Sequence, residues 1–207
     1  MKTIAILDYD IGNVRSILNA FRTLNTNPIV TDKPEVIMQA DGVVLPGVGA
    51  FATGMNNLKS HQLVDVIHQY IATGKPFLGI CLGMQLLMEE SDEFGVSQGL
   101  GLIQGRVEKL KVNHFRLPHI SWNELRKPEN ISWENTIFRN VGKDDNFYFV
   151  HTFAANPKHD ENILSTTVYD GYSFCSAVFK DNIYGVQFHP EKSAAAGLRI
   201  LEDFTKL

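Results

Sequence analysis

Two cysteines among 207 residues are too few for a disulfide framework, and their settings differ. Cys81 lies between two glycines, whereas Cys175 sits inside a strand-like run and is expected to be a small buried hydrophobe. Long apolar runs are missing as well. The opening MKTIAILDYD reaches an aspartate after four apolar residues in a row, too few for a signal-peptide core. No run approaches the ~18 apolar residues of a membrane span. A soluble, cytoplasmic protein without a membrane partner is expected. Clustered positive charge is the third absence. Nineteen Lys and Arg against 23 Asp and Glu leave a net charge of −4, with the basic residues scattered, so nothing points to nucleic acid. No repeat, low-complexity tract or long linker interrupts the chain, and 44% hydrophobic residues suffice for one sizeable core. Residues 1–207 are expected to form a single domain.

The first half alternates strand and helix signals. TIAIL (3–7) is a short apolar run, and Val14, Ile17, Leu18, Phe21 and Leu24 then recur at helical spacing. NPIVT (27–31) leads to a helix start at Asp32–Lys33–Pro34, and DGVVLPG (41–47) reads as the next strand. Leu63, Val66, Ile67, Tyr70 and Ile71 mark a helix closed by Gly74, followed by the strand KPFLGI (75–80) and a helix over LGMQLLMEE (82–90). From Gly99 the chain reads as strands, with Asp170–Gly171 and Asp181–Asn182 as hairpin turns, until a closing helix carrying Leu198, Leu201 and Phe204. The expected fold is α/β, with helices on both faces of a mixed sheet that is parallel in its first half and antiparallel in its second.

Three segments in this frame suit chemistry. In GICLGMQLL (79–87), Cys81 stands at a strand-to-helix turn outside the carboxyl end of a parallel strand, where sites form in open α/β sheets. Gly79 and Gly83 leave room for a tight turn, and the start of the following helix favours thiolate; a small buried residue is the alternative. In GVQFHPEKS (185–193), positions two apart on an extended segment point the same way, so Glu191 can orient His189 as a base; a surface turn is the alternative. No third ligand at recognisable spacing suggests a metal. In LPGVGAF (45–51), Gly47 and Gly49 permit a loop whose Val48 or Gly49 N–H, with that of Leu82, could hold an oxyanion. An ordinary glycine turn competes, and a phosphate loop is disfavoured because no GK[ST] follows.

In this order, and together with DYDIGNVRSI, PHISWN (118–123) and YFVHTF (148–153), these motifs resemble the class I (triad-type) glutamine amidotransferases along nearly all of the chain. The likeness is strongest to the glutaminase subunits that work beside a separate (β/α)8 synthase. It implies a three-layer, flavodoxin-like fold with a central mixed, mostly parallel sheet. It implies glutamine hydrolysis through a glutamyl thioester, without a cofactor, in which Cys81 attacks, His189 shuttles protons and Glu191 holds His189. Gly49 and Gln85 match glutamine-binding positions, and Thr152 and Phe153 stand where the family has Ser and Tyr. Trp122, Tyr148 and Lys192 match positions facing the partner, a HisF-like (β/α)8 cyclase subunit joined as a heterodimer. The ammonia would serve the cyclase reaction that makes imidazole glycerol phosphate and AICAR in histidine biosynthesis. Ser121 departs from the family's usual PHxGWN, and Phe153 lacks the usual tyrosine hydroxyl. A paralogous subunit supplying ammonia for surface-sugar modification, and a non-catalytic α/β binding module, are the alternative readings.

Overall fold

The computed structural model describes residues 1–207. β1 (Thr3–Leu7), α1 (Val14–Thr23) and β2 (Asn27–Thr31) form a parallel β–α–β unit. The Asn13 side chain accepts a hydrogen bond from the Ser16 amide at the start of α1. Ile17, Ala20 and Phe21 bury one face of that helix. α2 (Pro34–Gln39), β3 (Gly42–Leu45), α3 (Phe51–Ser60), α4 (Leu63–Ile71) and β4 (Phe77–Ile80) continue the alternation. α5 (Leu82–Leu86), β5 (Met88–Ser91), β6 (Ser97–Gln98), β7 (Ile103–Lys109), β8 (His119–Glu124), β9 (Asn146–His151) and β10 (Phe153–Pro157) follow. β11 (Ile163–Tyr169), β12 (Tyr172–Lys180), β13 (Ile183–Val186) and α6 (Ala194–Phe204) complete the chain.

The central sheet runs β11-β12-β13-β4-β3-β1-β2. Its five strands from β13 to β2 are parallel, and β12 pairs antiparallel with both β13 and β11. Both faces are covered. Ile4, Ile6 and Val44 pack with residues of α1 and α6, while Ala5, Leu7, Val43 and Leu45 pack with residues of α2, α3, α4 and α5. Continuous apolar strands result, as a doubly covered parallel sheet requires. At one hairpin Asp170 and Gly171 both have positive φ (53° and 73°), as a two-residue turn demands.

Three expectations need correction. The second-half strands do not all join the central sheet, because β10-β7-β5-β6 form a second sheet and β8–β9 a separate ribbon. The helix expected over 82–90 stops at Leu86, and Met88–Ser91 is a strand. Its last carbonyls are claimed elsewhere: Leu86 O accepts from Leu100 N, Leu87 O from Leu102 N and Ile103 N, and Met88 O from Gly101 N. This non-local bonding overrides the local helical pattern. The helix Phe51–Ser60 has no recognised signal in the sequence, since PGVGAF reads as loop alone.

The topology brings three loops together. β3, β4 and β13 lie side by side and parallel, so Pro46–Gly49, Cys81 and Gln187–His189 leave the same edge of the sheet. No helix is long and apolar enough to cross a membrane. α5 seats against β3 so closely that a Cβ on Gly83 would lie 1.9 Å from Leu45 O. Gly83→Ala is therefore expected to cost about 3 kcal/mol by overpacking. That corresponds to a loss of roughly 6–12 °C in Tm, measurable by thermal unfolding; an unshifted transition would refute the close seating.

Candidate active site

The turn between β4 and α5 carries Cys81 at φ 55° and ψ −110°. For a residue with a Cβ this conformation costs of order 1–3 kcal/mol, and it persists because its surroundings over-determine it. Cys81 N–H donates to Val186 O at 2.8 Å, and Gln85 N–H donates to Cys81 O at 3.2 Å. A Cβ on Gly79 would sit 2.6 Å from Gly83 O, so the turn closes only with glycine at both positions. The second cysteine is remote from this chemistry. Cys175 donates to Ala177 O at 3.3 Å, and burial pushes its thiol up to about 12.

His189 and Glu191 meet, though not along a strand. Pro190–Lys192 is a single 3₁₀ turn after an extended His189, closed by bonds from Lys192 N to His189 O and from Ser193 N to Pro190 O. Proline at the first helical position suits that turn. The turn still folds Glu191 back, and Glu191 Oε1 lies 2.8 Å from His189 Nδ1 with both side chains buried. Burial disfavours a charged His189. The neighbouring Cys81 and Glu191 outweigh it and push the imidazole up to about 10. His189 Nε2 is buried and has no hydrogen-bond partner, leaving it free for a substrate or for Cys81.

Around this pair is a cavity of about 310 Å³ lined by Val48, Gly49, Cys81, Leu82, Gln85, Glu93, Pro118, Val150, His151, Thr152, Phe153 and His189. Gly47 lies behind the loop rather than in the lining. A Cβ there would meet Leu82 Cβ at 2.8 Å and the Tyr9 hydroxyl at 2.9 Å. The buried Tyr9 hydroxyl donates to Pro46 O and fixes the loop from below. Gly49 holds φ 101°, which a side chain would strain. The Leu82 N–H is not free: it donates to Gly47 O at 3.3 Å, so one expected oxyanion donor is occupied in this conformation.

Sequence reasoning missed several residues. Gln187 Nε2 lies 3.7 Å from Cys81 Sγ, and Gln187 Oε1 accepts from Gln85 Nε2 at 3.0 Å. The period-two argument that pairs His189 with Glu191 also places Gln187 on the side of His189, so this signal was available. Glu93 joins from the β5–β6 turn, where its carboxylate also accepts the Phe51 N–H at 2.7 Å. It carried no local signal, since only the second sheet brings it there. His151 lines the cavity but is poorly placed as a base. Its Nδ1 donates to Phe153 O at 2.8 Å, and burial lowers its pKa to about 3.

Trp122, Tyr148 and Lys192 cluster outside the cavity, on and beside the β8–β9 ribbon. The Trp122 and Tyr148 rings lie 5.8 Å apart, Lys192 Nζ is 6.0 Å from the Tyr148 ring centre, and Trp122 is half exposed beside exposed Ile120. The backbone joins this patch to His189, since Tyr148 O accepts from His189 N at 2.9 Å.

Known proteins share this organisation. The HisH 1 subunit of imidazole glycerol phosphate synthase from Legionella pneumophila (strain Lens) is 42% identical, over all of both chains. The HisH subunit of Geobacter metallireducens is 45% identical over 99% of this chain and 98% of its own. That of Synechococcus elongatus is 44% identical over 97% and 91%. In fold the chain is similar to a structure of PurLQS from Thermotoga maritima, with TM-score 0.73, 20% identity, and coverage of 100% and 99%. It is also similar to a crystal structure of a glutamine amidotransferase, with TM-score 0.73, 17% identity, and coverage of 99% of each chain. The family model for class-I glutamine amidotransferases matches residues 5–207, and with full-length relatives above 40% identity the chain belongs to that family.

Proposed function

We propose that this chain is the glutaminase subunit of an imidazole glycerol phosphate synthase, hydrolysing glutamine and passing the ammonia to a (β/α)8 cyclase subunit. The observation that carries the chemistry is the buried His189–Glu191 pair, 2.8 Å apart, opening with Cys81 onto one cavity. Full-length likeness to subunits named HisH supports the pathway.

The reaction follows from this arrangement. The Cys81 thiolate adds to the side-chain carbonyl carbon of glutamine, and His189 gives its proton to the amide nitrogen. The C–N bond breaks, ammonia leaves and a glutamyl thioester remains. Water then attacks the thioester carbon, giving its proton to the neutral His189, and the C–S bond breaks to release glutamate and restore the pair. Glu191 fixes the imidazole tautomer and stabilises its charged form. Glu93 supplies negative charge for the α-ammonium of glutamine.

The Gly47–Val48 peptide is the switch. Its carbonyl occupies the Leu82 N–H at 3.3 Å. Turning that peptide over would withdraw the carbonyl, free Leu82 N–H and aim Val48 N–H where the oxyanion forms. Missing one donor is worth ~3 kcal/mol, about a hundredfold in rate. The exposed ribbon of Trp122 and Tyr148 is where a partner would bias the turn. Such control has a chemical rationale: free ammonia becomes ammonium in neutral water and ceases to be a nucleophile.

Cys81→Ala is expected to lower glutamine turnover on the order of 10³-fold or more without unfolding the protein. A diazo-ketone glutamine analogue should add once to Cys81 and leave Cys175 unmodified by mass spectrometry; labelling of Cys175 would contradict the assignment.

His189→Ala should be more damaging than Glu191→Gln, which keeps shape and loses charge. Activity should fall in acid as the catalytic pair gains a proton. It should fall again in alkali as His189, held protonated up to about 10, loses its proton. Glu191→Gln removes a charge that raises this pKa, so its alkaline limb should move to lower pH in a pH–rate profile; an unmoved limb would show that Glu191 does not set the imidazole.

Glutamate release should be slow for the chain alone and rise about a hundredfold with the cyclase and its ribonucleotide ligand. Full activity alone would refute the switch, and a lack of stimulation by the cyclase would refute the pathway.

A further inference from the structure

A chain of buried polar groups that the hydrolytic steps do not use runs from the β8–β9 ribbon to the sulfur. His119 Nε2 lies 2.8 Å from both Ser121 Oγ and Asn123 Oδ1, and His119 Nδ1 lies 3.0 Å from His151 Nε2. His151 Nδ1 is 2.8 Å from Phe153 O, which also accepts from Gln85 Nε2 at 2.9 Å. The other Gln85 N–H reaches Gln187 Oε1, and Gln187 Nε2 faces Cys81 Sγ at 3.7 Å. His119 and Gln187 are fully buried, and His151 and Gln85 are 6% exposed.

The direction of the chain is fixed by chemistry at its His151 end. A carbonyl only accepts, so His151 Nδ1 carries the hydrogen given to Phe153 O. Between the rings, His119 Nδ1 and His151 Nε2 share one hydrogen, and Asn123 Oδ1, which only accepts, draws a hydrogen from the His119–Ser121 side. Burial keeps both rings neutral. The His119 ring is clamped in orientation, stacked on Tyr169 at 4.0 Å and on Phe149 at 5.1 Å. An apolar residue would fill this space without leaving polar atoms to satisfy. The two imidazoles instead form a hydrogen-bonded link ending on two cavity-lining residues, Phe153 and Gln85.

We propose that His119 is a positioning residue for glutamine hydrolysis: through His151 it fixes the Phe153 carbonyl and the Gln85 amide, and so the shape of the glutamine cavity beside Cys81. This rests on the glutaminase function proposed above. It also gives the partner-facing ribbon a second route to the site, separate from the backbone bond between Tyr148 and His189.

The test compares His119→Asn with His119→Gln in the full chain assembled with its cyclase subunit, using L-glutamine as substrate. The Asn amide sits at the position of Nδ1 and can still hydrogen-bond to His151, whereas the longer Gln amide sits near Nε2 and cannot. Both are polar and similar in size, which separates the link from mere filling of the core. The Gln variant should raise KM for glutamine about tenfold, the loss of one buried hydrogen bond, with a smaller change in kcat. The Asn variant should stay within about threefold of the wild type in KM. Thermal unfolding is followed in parallel. Equal KM in the two variants, or a loss of Tm without a change in KM, would overturn the proposal. If the wild-type complex released no glutamate, the glutaminase reading itself would fall, whereas wild-type activity with indistinguishable variants would remove only the role of His119.

Discussion

Everything at the candidate site depends on one parallel pairing, that of β13 against β4. With Val186 opposite Ile80, the residues after each strand emerge side by side, and the Cys81 amide bonds directly to Val186 O. Cys81 and His189 thus share an edge of one sheet although they lie more than 100 residues apart. A slip of one residue would turn Gln187 and His189 to the opposite face. One face holds the register closely, because Gly185 packs so tightly there that a Cβ would lie 2.7 Å from Val178 Cγ2 and 2.8 Å from Met84 Cγ.

On that edge the protein places strain on one side and unsatisfied polarity on the other. Cys81 is kept at positive φ by glycines that allow the neighbouring backbone to close in. His189 Nε2 and Glu191 Oε2 are buried without partners. A site prepared for substrate carries such costs in the resting state, and the surrounding core of two large apolar clusters sustains them.

The fold class was legible because alternation of apolar strands and amphipathic helices is a local signal with a fixed period. So was the gathering of Cys81, His189 and Glu191 at one place, through the glycines two residues either side of Cys81 and the proline between the other two. What was not legible is non-local. The early end of α5 follows from carbonyls captured by residues 99–103. The placement of Glu93 depends on the second sheet, and the occupied Leu82 N–H depends on how β3 meets β4. His119 and His151 sit 32 positions apart on a ribbon whose pairing no local pattern announces, so their contact is a property of register alone.

The place of β13 also bears on how the molecule is made. Synthesis from the N-terminus yields β4-β3-β1-β2 first, a parallel sheet whose β4 edge stays open until residues 183–186 emerge. An uncapped apolar edge is a hazard during folding. The late strand covers that edge and delivers His189 and Glu191 in the same event. A nascent or truncated chain therefore holds Cys81 without His189 and Glu191, and the candidate site is assembled only when the sheet is finished.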